Sequence, residues 1–186
     1  RGYLSAGPFV PEVVLEHPEV VTQLHREFIR AGSDVVQAFT YYGHREKLRI
    51  IGKEDMLEPL QKNALKIAKD AANEFKDLDL MVCGDVANTN VFDPGDANTH
   101  KQCQQMYEEQ IAWAKEAGVD FVIAETINWT EEMKIALKAI KDAGLIAVCN
   151  FAIPRGDKTR EGHTAEDACK MMEDLGADVV GLNCYR

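Results

Sequence analysis

Apolar residues recur along the chain in a fixed order, in which a helical pattern ends at a glycine and an apolar run follows. Gly32, Gly118, Gly144 and Gly176 each stand after a helical pattern and before a β-branched or aromatic run. Glycine adopts the left-handed conformation beyond a helix end at little cost, so this order indicates a helix stop and a strand start. The pattern predicts strands over 34–42, 79–87, 119–126, 145–152 and 178–184.

The segments between these runs have helical periodicity. They predict helices over 17–31, 55–75, 99–117, 130–143 and 164–175, with Thr130 as an N-cap. The predicted strands are apolar through most of their length, which is typical of a parallel sheet buried on both faces. Strands that alternate with helices indicate either an open doubly wound sheet or a closed (β/α)8 barrel.

The absence of two nucleotide-binding motifs favours the barrel over the open doubly wound sheet. The sequence has neither G-x-G-x-x-G after the first strand nor G-x-x-x-x-G-K-[ST], which disfavours a nucleotide-binding open sheet. Polar and aromatic residues lie at the carboxyl ends of the predicted strands, where barrels build active sites: Tyr41, Tyr42, Asp85, Asn88, Glu125, Asn150, Asn183 and Cys184. We therefore predict an α/β fold, an incomplete (β/α)8 TIM barrel of about five βα units, as one partial domain over 1–186.

Composition narrows the classes of partner. The 186 residues carry a formal net charge of −10, which argues against nucleic acid or an anionic membrane as a partner. No apolar run approaches the roughly 20 residues that cross a bilayer. The five cysteines are odd in number and lack C-x-x-C spacing, so we expect reduced thiols in a cytoplasmic protein.

Several residues at the predicted strand ends carry candidate chemistry, each with an ordinary alternative. Cys184 is either a buried packing residue or a thiolate that acts as nucleophile or metal ligand. Glu125 either caps a helix or pairs with a basic neighbour, or it holds the ammonium group of a ligand. Tyr41 and Tyr42 are either core residues or a π face and hydroxyl at a barrel mouth.

Short motifs, taken in their order and spacing over essentially the whole chain, resemble the N-terminal half of the betaine–homocysteine S-methyltransferase family. These motifs are Arg1-Gly2-Tyr3, Ala6-Gly7-Pro8, Glu16-His17-Pro18-Glu19, residues 23–28, Ala31-Gly32-Ser33, Phe39-Thr40-Tyr41-Tyr42, residues 120–125 and Gly181-Leu182-Asn183-Cys184. The resemblance implies a (β/α)8 barrel that transfers a methyl group from betaine, or a related onium donor, to homocysteine and gives methionine. It also implies a Zn²⁺ cofactor held by three cysteine thiolates, with the homocysteine sulfur in the fourth position.

Carried over residue by residue, the resemblance makes Cys184 the first zinc ligand and Glu125 the partner of the homocysteine amino group. Tyr41 and Tyr42 match the aromatic pair of the donor site, where the Tyr42 hydroxyl meets the betaine carboxylate. Phe9 and Thr126 also fall in the donor site, but the betaine enzymes have tryptophan and tyrosine there.

Because of these two differences from the betaine enzymes, betaine, another quaternary ammonium compound and a sulfonium compound are all candidate donors. The family's first strand falls before Arg1 and its other two zinc cysteines fall after Arg186, so we expect this chain to be part of a longer enzyme and inactive alone. The alternatives are a non-catalytic truncated paralogue, or a metal-independent barrel enzyme that uses Glu125 or Asp85. The expected partners are the two small-molecule substrates, and homo-oligomer formation stays open.

Overall fold

The structure is a computed structural model that describes residues 11–153 and 156–184, and in it helices alternate with strands. The elements in chain order are α1 Val13–Glu16, α2 Pro18–Arg30, β1 Val35–Gln37, α3 Arg45–Ile50, a 3-10 turn Glu54–Met56, α4 Leu57–Asn73, β2 Met81–Ala87, α5 Ala97–Glu116, β3 Phe121–Ile127, α6 Thr130–Asp142, β4 Ile146–Phe151, α7 Ala165–Asp174 and β5 Val179–Leu182. This alternation confirms the predicted α/β class.

The chain divides into two compact units, of which the first comprises 1–85 and 113–120. Within it β1 pairs in parallel with β2, so that Val35 lies opposite Met81 and Gln37 opposite Cys83. Helices α1 and α4 pack together over an apolar cluster whose buried members include Val13, Val14, Val21, Leu48, Leu57, Leu60, Ala64 and Ile67. This packing supports the segment that follows β1.

The second unit comprises 86–112 and 121–186, and it contains the parallel strands β3, β4 and β5. Glu125, Asn150 and Gly181 lie side by side in one row across these strands. The β3–β4 register shifts between Glu125 and Ile127, which leaves Thr126 as a bulge. Along β3 and β4 buried residues alternate mostly with half-buried ones, whereas six of the seven residues of β2 are buried.

Two Gly-x-Asp segments each carry an aspartate that hydrogen-bonds to a residue near the start of a strand. The Asp120 carboxylate accepts the Val82 N–H at 2.7 Å, and the Asp120 N–H donates to the Val82 carbonyl at 2.8 Å. Asp178 makes the same pair of bonds with Ala147, at 2.8 and 3.0 Å. The preceding Gly118 and Gly176 have φ of 70° and 95°, which confirms the predicted helix stops.

The strand bounds differ most from the prediction at the two outer strands. Strand β1 ends at Gln37 rather than at residue 42, and β5 ends at Leu182 rather than at residue 184. Sequence periodicity also missed the short helices α1 and α3. In the described part of the chain no helix is both long and apolar enough to cross a membrane. The single partial domain over 1–186 stays a prediction.

Candidate functional site

A polar cluster of the second unit surrounds the Glu125 carboxylate on β3. The Asn183 side-chain amide, just beyond β5, donates to Glu125 Oε2 at 2.7 Å and to Thr126 Oγ1 at 2.8 Å. The Asn183 Oδ1 accepts the Thr126 N–H at 3.0 Å. One amide thus uses both its donor and its acceptor to tie β3 to the segment that follows β5.

Thr126 adopts a backbone conformation that threonine rarely takes. Its φ is 58°, in the left-handed region, where a β-branched residue is a true outlier. Such a conformation costs on the order of 1–3 kcal/mol and persists where the surroundings enforce it. Here the bulge opposite β4 and the hydrogen bonds from Asn183 supply that constraint. The strain lies directly beside the candidate ligand-binding carboxylate.

Cys184 places an exposed thiol next to this cluster. Its sulfur lies 3.9 Å from Thr126 Oγ1 and 3.7 Å from Asn183 Nδ2. The residue lies two positions beyond β5 and also has a positive φ, 49°. The structure therefore brings together three of the residues that the sequence singled out or matched to the family: Glu125, Thr126 and Cys184.

The other four cysteines lie in less accessible surroundings than Cys184. Cys83, Cys103 and Cys149 are buried, and Cys169 is half-buried. Burial raises the pKa of Cys103 to about 11 and the pKa of Cys149 to about 12, and it also raises that of Cys169. A raised pKa keeps a thiol protonated at neutral pH, so three of these side chains are poor ligands and nucleophiles. All five thiols are free in the structure.

Tyr41 and Tyr42 do not end a strand, which corrects the prediction for 34–42. They lie in a turn in which the Gly43 N–H donates to the Thr40 carbonyl at 2.7 Å, and Tyr42 has φ 57°. An added Cβ at Gly43 would lie 2.9 Å from the Thr40 backbone carbonyl and 2.8 Å from Leu60 Cδ2, so the turn needs glycine there. The two tyrosine rings contact each other with centroids 4.2 Å apart and planes tilted by 41°.

A cation already lies on the Tyr42 ring. The Lys47 Nζ, from α3, is 4.3 Å from the centroid of that ring, within the range of a cation–π contact. The aromatic pair is thus able to bind a cation, and a charged donor would meet Lys47 there. Tyr41 and Tyr42 belong to the first unit, and their convergence with Glu125 and Cys184 stays a prediction.

The donor set for a metal is incomplete in the part of the chain that the structure describes. No three histidine, cysteine, aspartate or glutamate side chains gather there as a metal site. Cys184 fits one position of a zinc site, because its sulfur is exposed and zinc accepts thiolates. A protein zinc site needs three or four ligands, so the predicted Zn²⁺ is not accommodated by these residues alone.

Two further sequence predictions have different outcomes. Asp85 lies inside β2 and is 3% exposed, so its burial gives no support to an accessible general base. Phe9 lies outside the described residues. Sequence reasoning missed the role of Asn183, although the residue stands in a motif that carried the resemblance. The sequence feature that could have indicated this role is a polar amide immediately after an apolar strand.

Comparisons with known proteins agree over the whole chain. A family model described as homocysteine S-methyltransferase matches residues 4–186. Betaine–homocysteine S-methyltransferase 1 from Xenopus tropicalis is 35% identical over 190 residues, which cover 100% of this chain and 45% of that protein. The protein of the same name from Sus scrofa is 35% identical, with 66% of its length covered. The chain thus spans less than half of the first relative and two thirds of the second.

Among solved structures, the metallated form of the homocysteine methyltransferase MmuM from Escherichia coli matches with a TM-score of 0.83. The match has 18% sequence identity and covers 99% of this chain and 69% of that one. At this identity the likeness concerns the fold alone. It confirms the predicted fold class, in which five parallel strands and their helices form part of a (β/α)8 barrel.

Proposed function

Because the chain belongs to the homocysteine S-methyltransferase family, we propose that the full-length protein transfers a methyl group from betaine, or a related onium donor, to homocysteine. The observation that supports this most directly is the cluster of Glu125, Thr126 and Cys184 around the Asn183 amide. In this cluster the Glu125 carboxylate lies in one hydrogen-bonded group with Thr126 and Asn183, next to the exposed thiol of Cys184. Relatives that are 35% identical carry the names of both substrates.

In this proposal Glu125 binds the amino group of homocysteine. A carboxylate that accepts hydrogen bonds from an ammonium group gains a charge-assisted bond, which is stronger than a neutral one. The Asn183 amide is neutral, so its hydrogen bond holds the carboxylate in place without cancelling the charge that attracts the ligand. The homocysteine thiol would then extend toward the Cys184 side of the cluster.

Cys184 would supply one thiolate to a zinc ion, with the remaining ligands outside the described residues. Such a zinc ion would lower the pKa of a coordinated thiol, and it would thereby favour the thiolate form of homocysteine at neutral pH. The sulfur forms a bond to the methyl carbon while the bond from that carbon to the donor heteroatom breaks. The electron pair of the broken bond returns to the donor.

The donor would bind at the aromatic pair Tyr41 and Tyr42. The membership of Phe9 and Thr126 in the donor site rests on the family resemblance alone. An anionic sulfur and a cationic donor lose their charges together in the transition state. Surroundings with few water molecules and an aromatic face therefore favour the reaction. A tyrosine hydroxyl of this pair can donate to a carboxylate such as that of betaine.

The test is Glu125→Gln in the full-length protein, with initial rates measured as homocysteine and donor are varied in turn. Loss of a hydrogen bond to a charged group costs roughly 1.5–3 kcal/mol, so the KM for homocysteine should rise about 10- to 150-fold. The KM for the donor should change little. Glu173→Gln, an exposed glutamate on α7, is the matched control. An unchanged homocysteine dependence would remove Glu125 from the proposed site.

A further inference from the structure

We infer that Asn183 is a positioning residue, which aims the Glu125 carboxylate and thereby sets the preference for a thiol ligand that carries an ammonium group. This inference rests on the proposed function and deepens it. Asn183 is 58 residues from Glu125 in sequence, yet its Nδ2 lies 2.7 Å from Glu125 Oε2. The same nitrogen lies 2.8 Å from Thr126 Oγ1, and Asn183 Oδ1 accepts the Thr126 N–H.

The sheet register brings Asn183 to the correct face. Glu125, Asn150 and Gly181 are Cα partners across β3, β4 and β5, so their side-chain positions share one face. Asn183 is two residues beyond Gly181, and successive side chains alternate between faces. Its backbone is also fixed, because the Asn183 N–H donates to the Phe151 carbonyl at 3.0 Å.

Gly181 leaves the necessary room in this row. An added Cβ at Gly181 would lie 3.0 Å from Asn150 Oδ1, closer than almost any ordinary contact. The absent side chain therefore leaves room for the Asn150 amide beside Gly181. This arrangement places two neutral amides, Asn150 in the row and Asn183 beyond it, on the face that carries the carboxylate.

Asparagine suits this place chemically. Its amide donates and accepts at once, so it can hold the Glu125 carboxylate and the Thr126 N–H together. A lysine or arginine could also hold the carboxylate, but its charge would compete with a ligand ammonium group. An aspartate could accept from Thr126 but could not donate to Glu125 while ionised. A neutral donor orients the carboxylate and adds no charge that would compete with a ligand ammonium group.

The experiment is equilibrium titration of the full-length protein with homocysteine and with 4-sulfanylbutanoate, which lacks the amino group. The ratio of the two dissociation constants reports recognition of the ammonium group. Four proteins are compared: wild type, Asn183→Ala, Glu125→Gln and the double variant. Asn183→Asp is added, because it keeps the acceptor for the Thr126 N–H and serves if Asn183→Ala fails to fold.

We expect Asn183→Ala to reduce the preference for homocysteine by about 2- to 10-fold, the range of one hydrogen bond. Asn183→Asp should reduce it by at least as much, because the donor is gone and two carboxylates then face each other. In the Glu125→Gln background Asn183→Ala should change the preference less than about 2-fold, since the two residues act as one unit. Binding of 4-sulfanylbutanoate should stay within about 2-fold of wild type throughout.

Equal losses for both ligands, or the same loss in both backgrounds, would show a merely structural role and overturn the inference. An unchanged preference in both Asn183 variants would overturn it too. If wild type itself does not prefer homocysteine, the proposed function is wrong. If wild type prefers homocysteine and neither Asn183 variant changes that preference, only the inference is wrong.

Discussion

At the scale of single residues, Glu132 shows how burial acts on a charge away from the candidate site. It lies in the first turn of α6 and is 1% exposed. Its Oε1 accepts the Thr89 N–H at 2.8 Å, the Thr89 hydroxyl at 2.6 Å and the Tyr107 hydroxyl at 3.2 Å. Burial raises the pKa of Glu132 above its ordinary 4.5, although the bonds from Thr89 and Tyr107 oppose the rise.

The raised pKa predicts a pH-dependent effect of Glu132→Gln. The native state binds the proton more tightly than the unfolded chain does. The contribution of the Glu132 carboxyl group to the free energy of unfolding therefore falls as pH rises from 4.5 through the native pKa. Glutamine keeps an acceptor for the three donors and carries no charge. The free energy of unfolding of the variant minus that of wild type should therefore be larger at pH 7 than at pH 4. Urea unfolding of the full-length protein measures both values.

Two other variants complete that comparison. Glu132→Ala leaves buried donors of Thr89 and Tyr107 without their acceptor, and it should lose about 1–3 kcal/mol for each such donor. Glu173→Gln, on an exposed position, should change stability little at either pH. The same difference between Glu132→Gln and wild type at pH 4 and pH 7 would contradict the assigned shift.

Lys47 gives a second prediction at this scale, concerning the donor. Its ammonium group covers the Tyr42 ring, so a cationic donor that uses this face must displace it. Lys47→Met removes the competing charge and should lower the KM of a quaternary ammonium donor, with a gain of about 0.5–1 kcal/mol for an exposed contact. Lys53→Met is the control, because Lys53 pairs with Glu12 instead. Equal KM values would place the donor elsewhere.

The residue scale also shows what the sequence could and could not predict. Glu125 and Cys184 were identifiable because a polar residue that closes an apolar run needs a partner or a role. The role of Asn183 depends on a contact 58 residues away, which follows only from the register of three strands. The cation on Tyr42 comes from α3, a helix too short for periodicity to detect.

At the scale of elements, the start of α6 is the clearest correction. Thr130 was predicted to cap this helix, but the N-cap position is Trp129, whose side chain makes no capping bond. The side chain of Glu161, about 30 residues later in the chain, caps α6 instead. Its carboxylate accepts the Thr130 N–H at 2.8 Å and the Glu131 N–H at 3.0 Å. A local pattern cannot reveal a cap that comes from a distant loop.

This cap predicts a pH-dependent loss of stability in Glu161→Ala. Partial burial raises the pKa of Glu161, but the hydrogen bonds from the Glu131 and Thr130 N–H groups, from its own N–H and from the Thr159 hydroxyl together lower it more, so the net pKa lies below 4.5. The contribution is therefore present above pH 4.5 and is lost as pH falls through the native pKa. At pH 7 the variant should lose about 0.5–2 kcal/mol, typical of a lost cap.

Thermal unfolding of the full-length protein at pH 7 and pH 3 checks this prediction. Glu161→Gln retains an acceptor oxygen and should lose less stability than Glu161→Ala at pH 7. Glu166→Ala, an exposed glutamate of α7, controls for the change in net charge. Full stability in Glu161→Ala would mean that water replaces the cap without cost.

The strands were predicted well where local pattern and pairing agree. The predicted ranges 79–87, 119–126 and 145–152 each lie within two residues of β2, β3 and β4. The prediction for 34–42 is wrong because its apolar residues continue past the paired segment. The Thr40 N–H bonds the Ala38 carbonyl at 2.8 Å, so the chain turns before Tyr41.

At the scale of the whole molecule, the comparisons determine the family and the structure determines which of its residues can meet. The chain covers 45% of the length of its Xenopus tropicalis relative, so the activity of the full protein is a proposal. The described residues of the second unit supply a carboxylate, an amide and one exposed thiol. A complete zinc site requires further ligands, which the proposal assigns to residues outside those described.

The most direct test of this account is the formation of methionine from homocysteine and a methyl-labelled donor by the full-length protein. We predict homocysteine-dependent transfer of the label in wild type and in Cys169→Ser, whose thiol is half-buried and has a raised pKa. Cys184→Ser should lose the transfer, because serine replaces the one exposed thiol beside Glu125. Undiminished methionine formation in Cys184→Ser, or none in wild type with any onium donor, would contradict the account.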